Sequence, residues 1–248
     1  MAAIASYPVL ARLTDFSQPV TARLFGAARH AWYSARRMWW SAYFRLDVTG
    51  GDHVPARGPF LLCGNHASHL DAPAILAALP RDVALRASTA AAKDVFGDHP
   101  WRNAVSRLTT GSVAIEREAE FAKGLRVLEG VLDDGRPLVM FPEGKRSYDG
   151  ELLPFKAGAA MLAIRTGAPI VPVRLDGLTK ALPKGARLPT AADVSVRFGA
   201  PIDPKPYQSA IAEGRMSRKQ AYAAMTDELK RAIADMALDR PTPAGKDS

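Results

Sequence analysis

Two short apolar runs each stop abruptly in a charged loop. Phe60-Leu61-Leu62-Cys63 gives way to Gly64-Asn65-His66-Ala67-Ser68-His69-Leu70-Asp71, and Leu138 to Met140 gives way to Phe141-Pro142-Glu143-Gly144-Lys145-Arg146-Ser147. An apolar run of three or four residues that ends in polar chain reads as a buried strand delivering a surface loop. Helical stripes alternate with such runs. Phe121, Leu125, Leu128 and Leu132 share one helix face, and Met225, Leu229, Ile233 and Met236 another. This alternation predicts an α/β domain with a central, mostly covered mixed sheet flanked by helices. With 248 residues the chain is long enough for one sizeable core.

Further strands are expected at Leu46–Thr49, Val83–Arg86, Gly111–Ile115, Ile170–Leu175 and Val194–Phe198. Helices are expected from Asp71 to Leu79, with Pro73 in the first turn and Pro80 beyond the end, and from Ala157 to Thr166, stopped by Gly167. Ser217 and Gln220 have the spacing of a capping box that opens the last helix. The expected domain covers residues 46–240, and residues 241–248 read as a disordered tail.

Residues 1–45 differ from the rest. Phe25, Ala28, Trp32, Trp39 and Tyr43 fall on one helical face, Trp40, Tyr33 and Phe44 widen it, and Arg29 and Arg36 flank it. Rings at headgroup depth beside guanidinium groups suit an amphipathic helical segment on an anionic membrane surface. The alternative is a helix packed on the core with its aromatics buried. No stretch of about 18 apolar residues is present, and residues 1–13 lack the pattern of a secretory signal. The expected location is peripheral, on the cytoplasmic face of a membrane. The net charge of +8 favours an anionic partner. No nucleic-acid-binding motif accompanies it. The single cysteine, Cys63, lies in an apolar run and reads as a core thiol.

His66 and Asp71 carry the first chemical signal. An imidazole titrates near neutrality and serves as a general base for an alcohol, and a carboxylate on its far nitrogen fixes the tautomer. Ser68 reads either as a nucleophile or as a helix cap. His66, His69 and Asp71 offer three ligands to a metal, but no further Cys or His cluster supports that reading, and no metal is expected.

The block Asn65 to Asp71 resembles the N-H-x-S-x-x-D block of the glycerolipid acyltransferases, and the chain resembles the 1-acyl-sn-glycerol-3-phosphate acyltransferases in particular. Gly111-Ser112-Val113-Ala114-Ile115-Glu116-Arg117 resembles their second block. Phe141 to Ser147 resembles the third, F-P-E-G-T-R-S, and Ile170-Val171-Pro172-Val173 the fourth. Pro154 to Gly158 and Gly199 to Ile202 also fit, so the resemblance runs over residues 46–204. Several blocks in order are far more specific than one.

The resemblance implies an O-acyltransferase that moves a fatty acyl chain from acyl-CoA or acyl carrier protein to a lysophospholipid hydroxyl, with no cofactor. The product from 1-acyl-sn-glycerol 3-phosphate would be phosphatidic acid. His66 would be the base and Asp71 its orienting partner. Arg117 and Arg146 would grip the acceptor phosphate, with Lys93 in the same role and Lys156 and Arg107 as weaker candidates. Glu143 would contact the acceptor glycerol or order the basic side chains, or else be a structural carboxylate satisfied by loop amides or by Arg146. Gly144 would supply an unusual backbone angle. Lys145 stands where the family has threonine, Ala114 where it usually has an aromatic, and Glu116 and Glu118 surround Arg117. These departures admit another lyso-lipid or a specialised lipid as acceptor. A non-catalytic lipid-binding protein of the same fold is the alternative of another class.

Overall fold

A computed structural model describes residues 31, 33–92, 105, 106, 109–115, 121–147, 149–186 and 188–238. Helix α1 (33–43) leads into β1 (Arg45–Thr49). β2 (Leu61–Gly64) is followed by α2 (Asp71–Ala78), α3 (Arg81–Arg86), β3 (Ser88–Ala92) and β4 (Ser112–Ile115). Next come α4 (Phe121–Asp133), β5 (Leu138–Met140), α5 (Gly158–Thr166), β6 (Ile170–Asp176) and the short α6 (Leu178–Ala181). β7 (Asp193–Phe198), α7 (Lys205–Ala212) and α8 (Arg218–Leu238) complete the described chain.

The seven strands form one sheet in the order β1-β7-β6-β2-β5-β3-β4. β6 and β7 pair antiparallel, and the other neighbours pair parallel. The sheet is therefore mixed, as expected. Period-two alternation splits β2 between its two faces. Leu62 joins a core with Trp40, Phe44, Ile75, Leu76 and Val173, whereas Leu61 and Cys63 join one with Leu128, Leu162, Met225 and Leu229. α1, α2 and α3 cover the first face, and α4, α5 and α8 cover the second. Every residue of β2 is buried, which explains why its sequence is a continuous apolar run rather than an alternating one.

Two expectations change. Val83–Arg86 is not a strand but part of α3. Pro80 sets the backbone for a first turn, and the amides of Ala84 and Ala87 donate to Pro80 and Val83 at 2.9 Å each. A four-residue apolar stretch has no periodicity that separates helix from strand. The strand in this region is β3, whose Ser-Thr-Ala-Ala-Ala lacks branched or aromatic strand formers. The second change concerns α1. Tyr33, Arg36, Trp40 and Phe44 are buried, so these residues pack on the core. The Arg36 guanidinium donates to the carbonyls of Thr109 at 2.9 Å and Leu76 at 3.1 Å instead of reaching outward. Met38, Trp39 and Tyr43 remain exposed. The rest of the amphipathic segment, residues 1–30 and Trp32, and the tail lie outside the described residues.

Other local readings hold. Gly167 takes a left-handed φ of 75° at the end of α5. The Ser217 amide donates to Gln220 Oε1 at 2.8 Å while the Gln220 amide donates to Ser217 Oγ at 3.3 Å, which closes the capping box. Burial pushes the Cys63 thiol far up, so it stays protonated within the core.

Candidate active site

β5, β2 and β6 are adjacent and parallel, so the loops at their carboxyl ends lie side by side. Ligands of open α/β sheets collect at this edge. The first loop holds His66. Its Nδ1 lies 2.7 Å from Asp71 Oδ2, with the ring a quarter exposed and the carboxylate fully buried. Asp71 opens α2 and turns its carboxylate back into the loop, where Oδ2 also accepts the amides of Ala67 at 2.6 Å and Ser68 at 2.9 Å. Three donors on one oxygen keep that oxygen in place. Oδ1 is buried and receives no hydrogen bond from a described residue. The carboxylate therefore holds Nδ1–H and leaves Nε2 as the basic nitrogen.

The second loop braces the first. The Phe141 ring stacks on the imidazole with centroids 4.3 Å apart. Glu143 is buried, and its Oε1 accepts the His66 amide at 2.8 Å while its Oε2 accepts the Leu153 amide at 3.1 Å. The Ser147 amide donates to the His66 carbonyl at 2.7 Å. Both backbone polar groups of His66 are thus tied to the neighbouring loop. Asn65 fixes the other side, exchanging two hydrogen bonds with the Leu175 backbone of β6 at 2.8 and 2.9 Å. In sequence, Asn65 stands out only as a member of the motif. Its clamping role follows from the order of β2 beside β6, which local pattern does not reveal.

The carboxylate of Glu143 is therefore occupied by loop amides, the structural alternative of its two readings. Burial pushes it above the ordinary carboxylate value, against the two amide hydrogen bonds that favour its charge. Gly144 has the unusual backbone expected of it, with φ 70°, and a Cβ there would come within 3.1 Å of the Lys156 side chain. Lys145 and Lys156 are exposed, and Arg146 is half-buried. Burial lowers the His69 pKa, and the nearby Arg146 charge lowers it further. Ser68 Oγ is buried and accepts the Leu70 amide at 3.3 Å. α2 has no side-chain cap, so Ser68 does not fill that role. β3 ends at Ala92 and β4 at Ile115; Lys93, Arg107, Arg117 and the flanking glutamates lie outside the described residues.

An imidazole on a buried carboxylate, beside an arginine, can accept a proton from an alcohol of an anionic molecule. The fold matches that of the 1-acyl-sn-glycerophosphate acyltransferase of Thermotoga maritima with a TM-score of 0.63, over 96% of this chain and 90% of that one, at 22% identity. In sequence, the 1-acyl-sn-glycerol-3-phosphate acyltransferase of Limnanthes alba is 31% identical over 169 residues, 66% of this chain and 57% of that protein. The human 1-acyl-sn-glycerol-3-phosphate acyltransferase alpha is 33% identical over 162 residues, 64% of this chain and 55% of its own length. The matched region thus spans just over half of these relatives. The acyltransferase family profile matches residues 45–176, which include both loops and β6. This chain belongs to the acyltransferase family.

Proposed function

We propose that the protein transfers a fatty acyl group from a thioester donor, acyl-CoA or acyl carrier protein, to the free hydroxyl of 1-acyl-sn-glycerol 3-phosphate, giving phosphatidic acid for phospholipid biosynthesis. The observation that carries this reading is the His66–Asp71 contact of 2.7 Å, locked from behind by two backbone amides. Asp71 holds the proton on Nδ1. Nε2 takes the hydroxyl proton as the acceptor oxygen bonds to the thioester carbonyl carbon. The C–S bond then breaks, and the imidazolium returns the proton to the leaving thiolate. The acceptor brings its own nucleophile, so a protein serine or cysteine is unnecessary, in keeping with the buried Ser68 and Cys63. Arg146 supplies a planar donor pair for the acceptor phosphate. Lys93 and Arg117 are assigned to the same anion from their motif positions.

Both acyl chains belong in a bilayer, so the enzyme works on a membrane surface, peripherally and on the cytoplasmic face. Exposed Met38, Trp39 and Tyr43 on α1 support that docking. Among the described residues no helix is long and apolar enough to cross a membrane. A second acceptor, another lyso-lipid, is favoured by one observation: the exposed Lys145 at the threonine position of the third block.

The test is a matrix of acyl-CoA and acyl carrier protein donors against lysolipids with and without a phosphomonoester, read by mass spectrometry. Phosphatidic acid as the main product is expected. Products only from acceptors lacking that phosphate would reassign the acceptor. Lipid binding without any acyl transfer would leave a lipid-binding protein.

A further inference from the structure

The loops after β2 and β5 carry the proposed base and Arg146, and a third loop stands beside them at the end of β6. The third leaves β6 through Gly177, whose φ is 85°; a Cβ there would lie 1.9 Å from the Asp193 carbonyl oxygen. Only glycine allows the chain to turn off β6 this close to β7. The segment is then fixed by its own hydrogen bonds: the Leu182 amide to Leu178 at 3.0 Å, Ala186 to Pro183 at 3.0 Å, and Thr190 to Ala181 at 2.8 Å. It makes a wall facing the first two loops.

Between the walls lies a cavity of about 350 Å³, at the lower end of the size of small-molecule sites. His69 and Arg146 line it on one side, and Thr179, Leu182, Pro183 and Lys184 on the other. Ala67, the residue after His66, also borders it. The cavity therefore borders the loop that carries the base. No carboxylate is among the lining residues, whereas an arginine, a lysine and the hydroxyl residues Ser68 and Thr179 are. Arginine, lysine and hydroxyl side chains lining one small volume suit a tetrahedral oxyanion.

We propose that this cavity is the organic-phosphate subsite of the reaction, with Thr179 and Lys184 closing on the phosphate opposite Arg146. The assignment rests on the acyl-transfer reading, in which both the lysophosphatidate acceptor and the phosphopantetheine-bearing donor carry phosphate. It adds to the motif residues a wall that follows the fourth block. The third loop thereby sets which phosphate is held beside His66.

Steady-state kinetics on the full chain test this with Lys184→Ala, Lys184→Arg and Thr179→Val. Lys184→Ala is expected to raise the KM for one substrate about tenfold, the loss of one charge-assisted hydrogen bond. The other KM should stay unchanged, Lys184→Arg should restore the first, and Thr179→Val should raise the same KM by less. A rise for lysophosphatidate places the acceptor headgroup in the cavity, and a rise for the thioester places the donor phosphate there. Calorimetric titration of sn-glycerol 3-phosphate and, separately, of coenzyme A makes the test independent of turnover. If the wild-type protein transfers no acyl group but binds either probe in a Lys184-dependent way, the subsite stands and the reaction falls. If acyl transfer is present yet neither KM and neither titration responds to Lys184→Ala, or kcat alone falls, the proposal is overturned.

Discussion

Asp71 and Asp176 occupy equivalent places beside neighbouring strands and serve opposite ends. Asp71 follows β2; its Oδ2 takes the His66 ring and two amides. Asp176 ends β6; its Oδ1 accepts Arg174 at 3.1 Å and its Oδ2 accepts Arg197 at 2.7 Å. Arg174 and Arg197 face each other across the antiparallel β6–β7 pair, where like charges repel. Asp176 pairs with both, offsets that repulsion and so secures the sheet. Arginine cannot release its proton in the working pH range, so the Asp176 cluster is electrostatically fixed. Imidazole can, so the carboxylate at position 71 stabilises a charge that comes and goes. Burial alone does not separate a structural from a chemical carboxylate. The partner's capacity to titrate does.

Substitutions can break this contrast. His66→Ala should lower acyl-transfer kcat by about 10⁴-fold with the fold intact, since it removes the base; circular dichroism and a turnover assay check both parts. Asp71→Asn should cost on the order of 10³ in kcat by releasing the tautomer, so a variant within a few-fold of wild type would remove the orienting role. Asp176→Ala should instead destabilise the protein by about 3 kcal/mol, because the buried Arg174 and the partly buried Arg197 lose their shared carboxylate, while kcat of the folded fraction stays unchanged. A kcat loss there without a melting shift would erase the distinction.

The smallest effect concerns Glu143. Its folded-state pKa is raised by burial above the ordinary 4.5. As pH climbs from that value, the unfolded chain has already released the proton while the folded protein still holds it. Stability is thus whole below this window and declines as pH rises through the raised value. Glu143→Gln should flatten that decline in denaturant melts taken across the mildly acidic range. An unchanged slope would locate the pH dependence elsewhere.

The sequence carried the site further than it carried the fold around it. The pairing of His66 with Asp71 was legible, because a helix starting at Asp71 returns the carboxylate to its own loop. The meeting of the two loops was legible too, since each follows a buried strand. What binds them was not. Glu143 taking the His66 amide, and Asn65 clamping Leu175, depend on β5, β2 and β6 lying in that order, which no local pattern encodes. β3 escaped notice because three alanines gain strand character only from their neighbours. The α1 aromatics divided between core and surface because a helix with rings on most sides has no single polar face to orient it.

In the proposed reaction Asp71 keeps the His66 proton on Nδ1 and leaves Nε2 free to act. Nitrogen-15 chemical shifts of the His66 ring in the labelled, full-length protein, recorded where the imidazole is neutral, read this directly. A protonated Nδ1 and a bare Nε2 are expected in the wild type, with that preference lost in Asp71→Asn. A wild-type ring protonated on Nε2 would contradict it.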